Sequence, residues 1–204
     1  LALATSGFGP IKQFLETKNS KNQIPNRAIP IIAIPTTAGT GSEVTKWATV
    51  WDTENNQKYS LSREDLYPTH AIIDPELMLT LPRDQTISTG LDALSHALES
   101  IWNVNANPIS TNYAIGASKR ILSHLQLLSD NLEDLHYRTI IAEAALYAGL
   151  AFSNTRTALA HSLSYPITLH HGIPHGIACS FTLPAVMRSV IGEDIITDNS
   201  LREI

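Results

Sequence analysis

The segment Gly90-Leu91-Asp92-Ala93-Leu94-Ser95-His96-Ala97-Leu98-Glu99 lies in the part of the chain, beginning at Pro82, where short β-branched runs give way to long stretches with helical spacing. Asp92 and His96 stand four residues apart in it, so on a helix both leave one face a turn apart. That spacing suits two ligands of one ion. It equally suits an ordinary Asp–His pair on a helix surface, and the segment alone leaves both readings open.

Working outward toward the carboxyl terminus, the helical stretches are punctuated at Asn105-Ala106-Asn107-Pro108, Ser129-Asp130-Asn131, Ser153-Asn154 and Gly172-Ile173-Pro174. Pro108 and Pro174 both suit a first helical turn, where the missing amide hydrogen has no partner anyway. Toward the amino terminus, the runs Ala28 to Ile34, Lys46 to Trp51, Lys58 to Leu61 and Ala71 to Ile73 read as strands. The run from Ile29 to Ile34 is apolar at successive positions, as expected of a strand buried on both faces of a parallel sheet. The polar turn Asp52-Thr53-Glu54-Asn55-Asn56 predicts a hairpin between the next two strands. The expected organisation is an α/β part over residues 1–80 and an all-α part over 81–204, divided near Thr80-Leu81-Pro82. The chain starts at Leu1 and stops at Leu201-Arg202-Glu203-Ile204, where a new helix is expected to begin, so both ends read as cut.

Composition narrows the function classes. A net charge of -5, with 14 Lys plus Arg and no basic cluster, gives no electrostatic footprint for nucleic acid or an anionic membrane surface. No run approaches the ~20 apolar residues of a membrane span, and the amino terminus lacks the basic start of a secretory signal. Small-molecule chemistry is the expectation. The single cysteine, Cys179, has no partner for a disulfide or for a site built on two thiolates, which points to a reducing compartment, by default the cytoplasm. No feature fixes the oligomeric state, and a homodimer is compatible with the sequence.

Two further constellations bear on chemistry. Ala160-His161-Ser162-Leu163-Ser164-Tyr165-Pro166 and His170-His171-Gly172-Ile173-Pro174-His175-Gly176 hold four of the eight histidines. A helix, a short reversal and a second helix can bring His161 and His175 together, whereas His170 and His171 fall at the exposed turn, where positive character suits a helix carboxyl terminus. One carboxylate and three imidazoles would suit Fe²⁺ or Zn²⁺ better than Ca²⁺ or Mg²⁺. Four protein ligands fill a tetrahedral zinc but leave room on a five- or six-coordinate iron. The other constellation, Pro35-Thr36-Thr37-Ala38-Gly39-Thr40-Gly41-Ser42-Glu43, follows a strand, where open α/β sheets bind nucleotides. Its glycines permit close backbone approach and its hydroxyls offer hydrogen bonds, although it is neither GxGxxG nor a P-loop. Read alone, it is as readily a polar loop.

Ile34 to Thr45, Gly90 to Glu99 and the two histidine strings, in this order and spacing, resemble the iron-containing alcohol dehydrogenase family over about Ile29 to Arg188. The resemblance implies a Rossmann-like, dinucleotide-binding α/β part, incomplete here because the family's Gly-Gly-Gly-Ser phosphate turn normally precedes Leu1. A helical metal-binding domain of dehydroquinate synthase-like architecture would follow. It implies that Asp92, His96, His161 and His175 bind the metal, Fe²⁺ with Zn²⁺ as the alternative, beside an NAD or NADP nicotinamide. Thr36, Thr37, Gly39 and Thr40 would contact that cofactor, and Lys58 would match the lysine that approaches its ribose. Tyr165 stands where some members carry a further histidine, and is the candidate catalytic hydrogen-bonding group or else a core aromatic before Pro166. Trp51-Asp52, Lys58-Tyr59-Ser60-Leu61, Leu66-Tyr67-Pro68 and Ser164-Tyr165-Pro166 resemble the phosphonoacetaldehyde reductase branch.

The activity so implied is hydride transfer between a nicotinamide and a small alcohol or aldehyde. Among rivals, a dehydroquinate synthase-like lyase is disfavoured by the Asp92/His96 pair. A glycerol dehydrogenase-like zinc enzyme typically lacks a histidine at the His96 position. A truncated, non-catalytic scaffold is the reading from another class.

Overall fold

The computed structural model describes residues 29–52, 55 and 57–204, so Ala28 and the turn residues Thr53, Glu54 and Asn56 lie outside the described residues. The fold is a small α/β amino-terminal part followed by a mostly helical carboxyl-terminal part. Two strand pairs form the first. β1 (Ile32–Ala33) runs parallel to β4 (His70–Ala71), and β2 (Trp47–Asp52) pairs antiparallel with β3 (Gln57–Ser62), with Trp51 opposite Lys58. The expected hairpin is therefore present.

The expectation for the Ile29–Ile34 run is corrected. Only two of its residues are in a strand, and Ile32 is 61% exposed, with Ile29 and Ile34 also open. The physical reason is that faces are covered by helices, and among the described residues β1 has β4 along one edge and no helix packed extensively on it.

Six helices follow: α1 (Arg83–Ile101), α2 (Pro108–Asp130), α3 (Leu135–Thr155), α4 (Leu159–His171), α5 (His175–Val190) and α6 (Ile195–Arg202). Their boundaries follow local chemistry. Asn107 caps α2 through the amides of Ile109 and Ser110, Ser110 returns a bond to the Asn107 amide, and Pro108 occupies the first turn. Asp134 and Asp194 cap α3 and α6. Gly172 ends α4 at φ 66°, a left-handed conformation that costs a residue with a Cβ roughly 1–2 kcal/mol. The final helix begins at Ile195 and is closing at Arg202, rather than starting near Leu201 as the sequence suggested, because the Asp194 side chain supplies the first-turn acceptor.

α1 is the axis of the core. It touches α2, α3 and α5, and every residue from Asp92 to Ile101 is buried. Ala93 and Ala97 on α1, Ala114 and Ala117 on α2, and Ala144, Ala145 and Ala148 on α3 let these helices approach closely. Buried Arg138 of α3 donates to the carbonyls of Leu81 and Leu132 and to the Thr86 hydroxyl, tying α3 to the start of α1. No helix among the described residues is long and apolar enough to cross a membrane.

Candidate metal centre

Three helices bring the four expected ligands to one point. Asp92 and His96 leave the same face of α1, His161 comes from the first turn of α4, and His175 is the first residue of α5. Asp92 Oδ1 is the hub, 3.9 Å from His96 Nε2, 3.4 Å from His161 Nε2 and 3.9 Å from His175 Nε2. Asp92, His96 and His161 are buried, and His175 is half-buried. Donors bound at ~2.1 Å to one small cation stand roughly 3.0–3.4 Å apart, so the Asp92–His161 separation already fits and the two at 3.9 Å have to close by about 0.5 Å or more.

The close crossing of α5 over α1 makes this convergence possible. A Cβ on Gly176 would lie 1.8 Å from the Ser88 carbonyl oxygen and 3.1 Å from Asp92 Cβ. Glycine beside His175 is thus a steric requirement of the site, one that the motif reading passed over.

Glu99 was also missed. It lies on α1 seven residues after Asp92 and three after His96, and that helical spacing was the available signal. Its side chain is fully buried; it accepts from the amides of Ala158 and Ala160, and its Oε2 accepts from His161 Nδ1 at 2.6 Å. That bond fixes the ring so that Nε2 faces Asp92, the carboxylate–histidine arrangement that orients metal-binding imidazoles.

The electrostatics are unusual for a packed core. Burial alone would raise the pKa of Asp92, but the imidazoles of His96, His161 and His175 hold it far below the ordinary carboxylate range. Burial lowers His96 to about 4, leaving it neutral and competent as a ligand at neutral pH. Burial opposes charge on His161 too, yet Asp92, Cys179 and Glu99 around it raise its pKa well above the usual value. Burial opposes ionisation of Cys179, and the neighbouring imidazoles of His161 and His175 override it, bringing the thiol down to about 7. Asp92 Oδ1, His161 Nε2 and His96 Nδ1 are buried without a hydrogen-bond partner. Buried polar atoms are rarely left so. For Asp92 Oδ1 and His161 Nε2, a cation among the rings would satisfy both.

The rings form a continuous wall. Trp47 stacks on Phe152, Phe152 on His96 at 4.0 Å between centroids, and His96 on His161 at 4.4 Å. Tyr165 stacks parallel to His175, and Trp51 of the hairpin meets both edge-on. Lys58 Nζ lies 3.5 Å from the Tyr165 ring centroid, so Lys58 and Tyr165 border the cluster as a pair, a cation–π contact instead of a solvated strand-edge lysine. His170 and His171 are exposed at the end of α4, away from it.

The threonine loop reaches the edge of the ring wall, where a Cβ on Gly41 would meet Phe152 at 2.9 Å. Thr36 and Thr40 are exposed, Thr37 is half-buried, and the Thr40 hydroxyl bonds to Ser42. Its glycines serve packing. A Cβ on Gly39 would meet Thr89 of α1 at 2.7 Å, and Gly41, at φ 57°, lies against Gly149 of α3. The close approach anticipated for a ligand is made first to the protein's own helices.

Comparison with known proteins is decisive at this point. Residues 86–194 match the model of the Fe-containing alcohol dehydrogenase family, C-terminal, and residues 1–75 match that of iron-containing alcohol dehydrogenase. The chain belongs to the iron-containing alcohol dehydrogenase family. Within that family it is 41% identical over 165 residues to the NAD-dependent methanol dehydrogenase of Bacillus methanolicus, covering 81% of this chain and 43% of the relative. It is 36% identical over 162 residues to the phosphonoacetaldehyde reductase of Streptomyces viridochromogenes, covering 79% and 41%. The crystal structure of sulfoacetaldehyde reductase from Bifidobacterium kashiwanohense in complex with NAD⁺ superposes with a TM-score of 0.84 at 37% identity, covering 90% of this chain and 48% of that one. The chain spans less than half the length of these relatives.

Proposed function

We propose that this chain carries the metal half of a nicotinamide-dependent oxidoreductase that interconverts a small alcohol and its aldehyde, with Asp92, His96, His161 and His175 as the metal-binding residues. The observation that carries the reading is the convergence of three imidazole Nε2 atoms on one buried, unpartnered carboxylate oxygen. A divalent ion held by these residues, Fe²⁺ by family with Zn²⁺ as the alternative, would supply Lewis acidity toward a substrate oxygen, and a nicotinamide would supply the hydride chemistry.

The residues do the rest. Asp92 contributes the formal negative charge that favours a cation over a proton at this point, and neutral His96 adds a donor without adding charge. Glu99 holds His161 in the tautomer that presents Nε2. Trp51 and Tyr165 pack against the His175 ring, and the Tyr165 hydroxyl is assigned a hydrogen bond to the substrate. Thr36, Thr37, Gly39 and Thr40 are assigned to cofactor contact. Lys58, held over Tyr165, is assigned to the ribose of the cofactor. NAD is the form favoured by the names of two relatives, and phosphonoacetaldehyde is the first substrate to try because one relative reduces it. The division near residue 80 and a cytoplasmic location belong to the same reading.

The test is NADH and NADPH oxidation by the full protein loaded with Fe²⁺ or Zn²⁺, across phosphonoacetaldehyde and simple short aldehydes. Metal-dependent turnover, lost on chelation and lost together with bound metal in His175→Ala, is expected. Full metal content and activity in His175→Ala would refute the ligand assignment, and no turnover with any aldehyde would sink the enzyme reading.

A further inference from the structure

Cys179 has no part in the reading above, yet its sulfur lies inside the cluster. It stands one turn after His175 on α5, so both side chains leave the same face, with Sγ 3.8 Å from His175 Nδ1 and 3.7 Å from Nε2. Asp92, His161, His175 and Cys179 each offer a ligand atom, and the four atoms lie within 4.8 Å of one another. His96 is not in that mutually close group, although its Nε2 is 3.9 Å from Asp92 Oδ1. Asp92 Oδ1 and His161 Nε2, on side chains 8% and 3% exposed, lie 3.4 Å apart facing each other without a hydrogen-bond partner. Two helices therefore each present a donor pair at four-residue spacing, Asp92/His96 on α1 and His175/Cys179 on α5, on either side of His161.

We infer that Cys179 is a metal-binding residue whose thiolate donates to the divalent ion held by Asp92, His161 and His175. This rests on the metal reading and deepens it. Binding replaces the S–H bond by a sulfur–metal bond and releases the thiol proton to solvent, with no change of oxidation state. The consequence is metal choice. Without sulfur, the set is one oxygen and three nitrogens; with sulfur in place of His96, it becomes one oxygen, two nitrogens and one thiolate, a tetrahedral set that favours zinc and cobalt over Fe²⁺. The two α-helical pairs thus offer the same ion alternative fourth donors.

The test reads the metal itself. Zinc-loaded protein is expected to show one sulfur neighbour at ~2.3 Å by X-ray absorption. Cobalt-loaded protein is expected to show a thiolate-to-cobalt charge-transfer band beside its d–d bands. Cys179 is the single cysteine of these 204 residues, and loss of either signal in Cys179→Ser assigns it to this sulfur. Cys179→Ser is expected to lose the charge-transfer band, keep the d–d bands and bind zinc at least 10-fold more weakly relative to cobalt-free competition with Fe²⁺. A zinc shell of only nitrogen and oxygen in the unsubstituted protein overturns the proposal while leaving the metal site standing. Failure to bind any of the three ions overturns both.

Discussion

The helical side of the site and the loop side differ in what their burial is used for. From Asp92 to Ile101 every residue of α1 is closed in, and the carboxylates and imidazoles there are charged or neutral according to one another's presence. In the loop, Thr36 and Thr40 stay exposed, while Gly39 and Gly41 are pressed onto α1 and α3. The lesson is that the polarity of one side is internal to the fold, whereas that of the other is presented outward by a backbone anchored from behind. Disrupting each anchor in turn separates the two sides.

The largest effect is expected at Gly176. Adding a Cβ there meets a backbone carbonyl of α1, which no side-chain rotation relieves, so α5 must shift away and carry His175 with it. Overpacking costs about 1–3 kcal/mol and occasionally more, and a clash with backbone belongs at the upper end. Gly176→Ala is expected to lose bound metal and to unfold at a clearly lower temperature, measured by metal analysis and thermal denaturation. Retention of stoichiometric metal would mean that His175 is dispensable. Next comes Glu99→Gln, which keeps the shape but removes one of the carboxylate acceptors serving His161 Nδ1 and the amides of Ala158 and Ala160. Metal affinity is expected to fall by about 10- to 100-fold, by analogy with other buried partners of ligating histidines. Competition with a chromophoric chelator reads it, and an unchanged affinity would show that packing alone orients the ring.

These two residues mark the limit of what the sequence made legible. Asp92, His96, His161 and His175 were candidates by residue type and spacing, because metal sites draw on few residue types, and the family resemblance singled them out as the proposed ligands. The helices from Pro82 onward and the hairpin were visible in apolar periodicity and turn residues. Gly176 was not, since its role depends on where α1 passes, a fact about three-dimensional crossing that no local pattern encodes. Glu99 had a signal in its three- and seven-residue offsets from His96 and Asp92, but a carboxylate on a helix is ordinarily a solvated one. The Ile29–Ile34 run failed in the opposite direction. Its apolar pattern describes a strand covered on both faces, and burial depends on neighbours rather than on the run itself. Cys179 fell between the two: one cysteine excludes a disulfide, and only geometry brings its sulfur to a set of imidazoles.

On the loop side, Gly41→Ala is expected to act on cofactor and spare the metal. The residue sits at φ 57°, where a side chain costs roughly 1–2 kcal/mol. A Cβ would also lie 2.6 Å from Gly149 Cα, lifting the 3-10 turn Ser42–Val44 from α3. The KM for the nicotinamide cofactor is expected to rise several-fold with metal content unchanged. Equal loss of both would erase the distinction between the two sides.

The smallest effect isolates the one buried carboxylate on the loop side. Glu43 is 5% exposed, and burial raises its pKa, with a hydrogen bond to its own backbone offsetting only part of that. The folded state therefore disfavours the ionised form, the reverse of Asp92 and Glu99, whose pKa values are lowered. A raised carboxylate costs nothing below its unfolded pKa of about 4.3, and stability is lost as pH climbs through the higher folded value. Glu43→Gln removes that penalty, so its melting temperature is expected to exceed that of the unsubstituted protein at pH 7, with the gap closing as pH falls toward 4.3. A gap of the opposite sign at pH 7 would mean that the Glu43 charge is compensated as Asp92 is, and that the loop side, too, holds a charge by design.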